Sequence, residues 1–313
     1  MSAVALVVLV IEVVAAALLA PLVTGVIQTT KARLQGRLGP SPFQPYRELR
    51  RLWGKSCVNP AGTTVLYRLA PAVVVAAVVC CLVVVAAAVL PPAIPLARPL
   101  GSDFILILGL LALARVAVAL SAWDTGQGFG LLGAARDLFV AISAEVLMML
   151  TLVLAALPAG STDLRDMHAA GLGTHPWQNA AHWCGLVAFS LVAITEMGRQ
   201  PVDNPDTHLE LTMIHEGPLL EYAGRDLAYL QWAAAAKHVI MISLLIGIFL
   251  PLAGDEPVQI AATLAWFVVV VVGVAFAESF LAKMRLLRVP AFLATGSVVA
   301  LVGLVTWFVV PAS

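Results

Sequence analysis

Charge is scarce in this chain. Only 12% of its 313 residues are Asp, Glu, Lys or Arg, and the formal net charge is zero. Nucleic-acid binding needs a concentrated basic surface, so that class of partner is excluded. Cysteine is sparse as well. Cys57, Cys80, Cys81 and Cys184 include no CxxC pair, and the adjacent Cys80 and Cys81 point to different sides of any helix. They form no zinc or iron–sulfur motif and read as buried apolar residues. Any redox centre is therefore expected on another chain. There is no Walker loop, nucleophile elbow, HExxH or dinucleotide fingerprint, which removes the usual nucleotide, hydrolase and metalloprotease chemistries.

What is present is apolar sequence: 61% of residues are hydrophobic and the mean hydropathy is +0.97. On a soluble domain this composition would make the surface one continuous apolar patch. Eight runs approach the roughly 20 residues that a helix needs to cross hydrocarbon. They cover residues 3–27, 69–90, 104–122, 138–157, 180–197, 228–250, 258–277 and 291–310. Lipid offers the backbone no hydrogen bonds, so spans are helices or closed barrels, and no alternating ten-residue barrel pattern occurs. The expected fold is all-α: one polytopic integral-membrane domain, 1–313, with eight transmembrane helices and no convincing internal repeat. The first run lacks a basic leader and a small-residue cleavage motif, and carries Glu12, so it reads as a span rather than a signal peptide.

Orientation follows from the basic residues. Of the 18 Lys and Arg, only Arg98 and Arg165 fall on one side of the alternating spans, while Arg115 and Lys237 lie inside them. The rest share the other side, which predicts N-out and C-out. The first inner connection, "TTKARLQGRLGPSPFQPYRELRRLWGK", is the most basic. Its "YRELRRLWGK" portion reads as a short interfacial helix. Arg33, Arg37, Arg47, Arg50 and Arg51 are candidates for docking a cytoplasmic partner or anionic headgroups.

Ionisable residues within or ending the spans are Glu12, Arg115, Glu145, Glu196, Lys237 and Glu278. Such groups are expensive in lipid and usually face a bundle interior or a water path. Structural ion pairs such as Arg115 with Glu145, or Lys237 with a loop acid, are the plainer alternative. The connection after the fifth run, "EMGRQPVDNPDTHLELTMIHEGPLLEYAGRD", holds seven carboxylates: Glu196, Asp203, Asp206, Glu210, Glu216, Glu221 and Asp226. Asn204-Pro205 opens a short helix there and Gly217-Pro218 stops it, with His208, Thr212 and His215 on one face. Crowded, partly desolvated carboxylates raise one another's proton affinity, as a proton relay needs. His168, His175 and His182 recur every seven residues, but Pro176 and nearby glycines interrupt any helix that would align them, so no metal site is assigned.

Four segments carry a resemblance: "RLQGRLGPSPFQP", "LARVAVALSAWDTGQGFGLLGAARDLFVAISAE", the acidic connection, and "AESFLAKMRLLRVP". Together they resemble the NADH dehydrogenase subunit 1 family of respiratory complex I, on its formate hydrogenlyase and hydrogenase-4 branch. The resemblance implies a non-redox membrane subunit joining a soluble redox arm to antiporter-like membrane subunits, in the inner membrane of a prokaryote. It places [NiFe] and iron–sulfur clusters on the hydrogenase large and small subunits and iron–sulfur proteins of that arm, with no cofactor in this chain. It puts Glu145, Glu196, Asp203, Asp206, Glu210, Glu216 and Glu221 on or near an acidic path into the membrane. Arg136 and Arg199 match basic positions beside it, and Arg115 and Lys237 are further charge partners. The complex I branch has phenylalanine after the proline matched by Pro201, and an aromatic-rich "FHTEYSG" near His215. Those features are weakened here, which argues against a bound quinone.

The leading expectation is a hydrogenase or formate hydrogenlyase membrane subunit. A second is the equivalent subunit of an NADH or ferredoxin:quinone oxidoreductase. A stand-alone secondary transporter would show inverted repeats with paired broken helices, and neither is visible.

Overall fold

A computed structural model describes residues 3–89, 102–173, 179–204, 213–250, 252 and 255–309. Among them the regular elements are helices, with a single isolated bridge between Asp103 and Asp163. In chain order the helices are α1 (Ala3–Leu34), α2 (Gln44–Trp53), α3 (Val65–Val89), α4 (Phe104–Asp124) and α5 (Gly128–Ala156). There follow α6 (Leu164–Gly173), α7 (Ala180–Glu196), α8 (Gly224–Phe249), α9 (Glu256–Phe280) and α10 (Val289–Val309).

Seven of the described helices are long and apolar enough to cross a membrane: α1, α3, α4, α5, α8, α9 and α10. The fifth expected span is α7, equally apolar but only 17 residues long. Several helices outrun their apolar runs at one end: α1 continues to Leu34, α3 begins at Val65 and α5 at Gly128. Hydropathy stops where charges begin, whereas the i to i−4 backbone ladder continues while its own bonds are satisfied. The interfacial helix is found as α2. The short helix expected after Asn204 does not include its final turn. Met213–Glu216 are non-helical, because the Asp203 carboxylate takes the amides of Ile214 and His215 at 3.2 and 3.1 Å. Residues 205–212 lie outside the described ones.

Helix α8 forms the centre, packed by α1, α3, α7 and α9 and crossed by α2 and α6. Small residues Ala233, Ala235 and Ala236 let its neighbours approach closely. Helices α9 and α10 keep Val268, Val272, Phe276, Val302 and Val305 exposed, as suits surfaces facing lipid.

The ends of the bundle are tied differently. At the end holding the basic and acidic connections, Asp124 accepts from the Thr64 and Tyr67 amides at 2.7 and 3.3 Å, fixing the start of α3 to the end of α4. Tyr67 and Tyr222 stack with ring centroids 4.3 Å apart. Each also donates to the other's stretch of backbone: Tyr67 to the Glu221 carbonyl at 2.8 Å and Tyr222 to the Tyr67 carbonyl at 2.9 Å. Burial pushes the Tyr222 phenol up to about 12, so it remains a neutral donor. At the opposite end His168 Nδ1 stands 2.6 Å from the Gly247 carbonyl and His182 Nε2 3.0 Å from that of Phe249. Both rings serve the open carbonyls ending α8. His175 lies outside the described residues. Of the four cysteines expected to be buried, only Cys81 is; Cys80 is exposed, and Cys57 and Cys184 are intermediate. One helix turn carries adjacent residues to different faces, so one of the pair must leave the core.

Candidate functional site

The intramembrane charges gather between α4, α5, α7 and α8. Arg115 on α4 reaches the carboxylate of Glu196, at the end of α7, with Nη2 at 2.5 and 2.7 Å from its two oxygens. The same guanidinium meets Glu145 of α5 at 3.1 Å and stands 3.7 Å from Asp137 of α5. Lys237 of α8 approaches the second Glu196 oxygen at 3.6 Å. Glu196 is almost fully enclosed, with 4% of its side chain exposed, whereas Glu145 is 48% exposed. One carboxylate of the Arg115 cluster therefore lies in the core and another on the outer flank of the bundle.

A second group lies beside the turn after α7. Arg199 donates through Nε to His238 Nε2 at 2.9 Å and through Nη1 to Glu278 at 3.3 Å. His238 Nδ1 is 2.8 Å from the Ala234 carbonyl, so Nδ1 carries the proton and Nε2 accepts. Lys31 of α1 stands 3.5 Å from the other Glu278 oxygen. Between the groups sits Asp203, which accepts from Lys283 at 2.7 Å and from the Asn204 amide at 2.8 Å. Burial pushes the Asp203 carboxyl up, but the hydrogen bond from His215, then the hydrogen bond and charge of Lys283, outweigh it and hold it well below the usual carboxylate range.

Among the described residues, five carboxylates (Asp137, Glu145, Glu196, Asp203, Glu278) thus meet five cations (Lys31, Arg115, Arg199, Lys237, Lys283) across the bundle. Breaking a buried pair costs about 3–5 kcal/mol, because the remaining charge is stranded. The expected mutual crowding of carboxylates is not what holds Glu196 or Asp203. Each faces bases, since a charge buried among apolar helices is tolerable only beside its opposite. The paired reading of Arg115 with Glu145 is correct and incomplete. Lys237 takes Glu196, the first carboxylate of the acidic connection, where α7 ends. Glu12 of α1, by contrast, has a buried carboxylate oxygen without a hydrogen-bond partner among the described residues.

A cavity of about 110 Å³ opens among these groups. Arg115, Asp137, His215 and Lys237 supply its polar wall, and Val74, Leu111 and Leu230 part of its apolar wall. That is room for water with several polar partners.

Of the acids expected along the path, Glu145, Glu196 and Asp203 fall within the network. Asp206 and Glu210 lie outside the described residues. Glu216 and Glu221 are half-buried on the loop. Arg115, Arg199 and Lys237 are central. Arg136 reaches the Met213 carbonyl at 3.4 Å and so steadies the loop. Arg33, Arg37, Arg47, Arg50 and Arg51 are all exposed at the same end as the loop, with Arg51 also hydrogen-bonded to Glu48. Residues that sequence reasoning left out of the path are Lys31, Asp137, His215, His238, Glu278 and Lys283. Lys31 and Lys283 look like ordinary end-of-span charges, and only folding brings them to buried acids. Among the described residues no group of three or more His, Cys, Asp or Glu forms a metal-ligand cluster.

Known proteins resemble this chain in sequence and in the arrangement of its helices. The NADH dehydrogenase family matches residues 5–310. The chain belongs to that family. Its NADH dehydrogenase-family relatives include hydrogenase-4 component C of Escherichia coli (strain K12), 33% identical over 286 residues, covering 87% of this chain and 86% of that one. Formate hydrogenlyase subunit 4 of the same organism is 29% identical over 276 residues, covering 85% and 87%. NADH-quinone oxidoreductase subunits of Geobacter sulfurreducens and Geobacter metallireducens match over shorter stretches, 205 and 210 residues. The expected relationship to the NADH dehydrogenase subunit 1 family and its hydrogenase-related branch is borne out. A chain of the membrane-bound sulfane sulfur reductase, described as an archaeal respiratory membrane complex, superposes with a TM-score of 0.79. That likeness covers 95% of this chain and 97% of that one at 19% identity, and it establishes the fold.

Proposed function

We propose that this NADH dehydrogenase-family chain is the membrane subunit of a respiratory-type hydrogenase or formate hydrogenlyase complex. It seats a soluble redox arm on its loop end and hands ion movement to neighbouring antiporter-like membrane subunits. The [NiFe] and iron–sulfur groups belong to the hydrogenase large and small subunits and iron–sulfur proteins of the arm, and the chain itself carries none. The setting is a prokaryotic inner membrane. One observation carries this reading: paired charges run from the loop (Asp203, Lys283) through the buried core (Glu196, Arg115) to a half-exposed carboxylate, Glu145, on the flank of α5. A carboxylate in the middle of a span is costly against lipid. Its place is explained when another membrane subunit covers that flank and continues the path.

The test uses sealed vesicles holding the native complex. Glu196→Gln keeps the shape but removes the titratable charge, as do Asp206→Asn and Glu216→Gln on the loop. Redox-driven ion movement should fall by about 10²-fold, the scale of losing an essential proton-transfer group. Electron transfer at the arm to an artificial acceptor should stay near normal. Unimpaired coupled transport in all three intact complexes removes the carboxylate path. If instead the arm is released, and high salt imitates the substitutions, the acids serve docking.

A further inference from the structure

His215 is the one side chain that touches both the loop cluster and the intramembrane cluster among the contacts described above. Its Nδ1 lies 3.3 Å from Asp203 Oδ2, and its Nε2 lies 3.7 Å from Asp137 Oδ1. Its own amide also donates to Asp203 at 3.1 Å, so backbone and ring are fixed by the same carboxylate. Room for the ring comes from Gly198, whose φ is +63° and where an added Cβ would lie 3.2 Å from the imidazole. Any side chain there would crowd the ring and strain the backbone.

Asp203 accepts from Lys283, from three backbone amides and from the His215 ring. It remains a carboxylate and holds the proton of His215 on Nδ1. In the neutral ring this leaves the Nε2 lone pair aimed toward Asp137 and the 110 Å³ cavity that both residues line. Asp137 is itself undecided: one oxygen is 3.7 Å from His215 Nε2 and the other 3.7 Å from Arg115 Nε.

On the proposed proton-path reading, we infer that His215 is the proton-loading residue between loop and membrane, and that its charge competes with Arg115 for Asp137. A hydronium in the cavity gives its proton to Nε2: an O–H bond breaks, an N–H bond forms and water is left. The imidazolium then lies between two carboxylates and draws Asp137 toward itself. That loosens Asp137 from Arg115, whose guanidinium also binds Glu196 and Glu145. Return of the proton to cavity water restores the starting state. Passed instead to Asp137, it leaves a neutral carboxylic acid there, and the starting state returns only when that acid gives the proton to cavity water. The charged or titratable groups facing His215 are Asp203 in the turn after α7, Asp137 on α5, Arg115 on α4, Lys237 and His238 on α8, Glu196 on α7 and Lys283 after α9. The site is therefore balanced before loading and carries one extra positive charge after it.

The experiment uses vesicles with the complete complex and reads coupled ion movement beside arm electron transfer. His215→Ala should lower coupled movement about 10²-fold with arm turnover unchanged. Added imidazole, entering the cavity that the truncation enlarges, should restore a large part of it. His215→Asn retains a donor where Nδ1 was but lacks the base, so it should stay impaired and be insensitive to imidazole. Wild-type coupling in His215→Asn, or in His215→Ala without imidazole, overturns the assignment. So does a His215→Ala defect that imidazole leaves unchanged. Glu196→Gln in parallel separates the two levels. Loss there with normal coupling at His215→Ala removes only the role of His215, whereas normal coupling in both removes the proton path as well.

Discussion

Arg115 is the residue on which the intramembrane cluster depends, since Glu196, Glu145 and Asp137 all face one guanidinium. Arg115→Met should leave Glu196 buried with only Lys237, 3.6 Å away, and destabilise the chain by about 3–5 kcal/mol. A lower unfolding midpoint in detergent is the reading. Adding Glu196→Gln should recover much of the loss, because residues sharing one network are strongly non-additive. If the double variant is as unstable as the sum of its parts, the pairing contributes little. At this scale the sequence was a good guide to which spans carry charge and a poor guide to pairing. Glu145 and Glu196 look alike in the sequence, yet one is half-exposed and the other enclosed. Helix rotation decides that, and near-uniform Val, Leu and Ala runs contain almost no periodic signal for it.

At the scale of elements, the acidic connection owes its position to α5. Gly133 and Gly217 meet backbone to backbone: a Cβ on Gly133 would lie 2.6 Å from the Gly217 carbonyl carbon, and one on Gly217 2.8 Å from Gly133 Cα. No side chain fits, so Gly133→Ala should lift the loop off the helix and carry Met213 away from Arg136 and His215 away from Asp137. The expected outcome is faster proteolysis or hydrogen exchange across 213–223 while the transmembrane helices stay protected. Uniform exchange like that of wild type would show that the loop is held by its other ties, Asp203 and the Tyr67–Tyr222 stack. The sequence displayed the glycines of "FGLLGAARD" and the "GP" stop separately. Nothing in either says that they touch, because a close backbone approach between positions so far apart in the chain leaves no local pattern.

For the whole molecule, topology is the property to test. Cysteine labelling in sealed cells should place Ser41, Asn204 and Arg285 inside and position 174 outside; labelling of Asn204 from outside would reverse the bundle and remove the coupling scheme. The structure places the segments that must share a side at one end of the helices, with Lys283 on Asp203 and the Met284 amide 2.8 Å from the Pro201 carbonyl. By itself the sequence determined the solvent, the helical class, the approximate spans and the family. Those follow from composition, run length and local motifs, all of which survive without knowledge of neighbours. Tertiary structure alone decided which charges meet, that α7 is short, that Glu145 reaches the flank, and that His215 stands between Asp203 and Asp137. Pairing depends on helix rotation and packing in three dimensions, and where spanning helices are apolar on nearly every side the one-dimensional pattern does not encode which face turns inward.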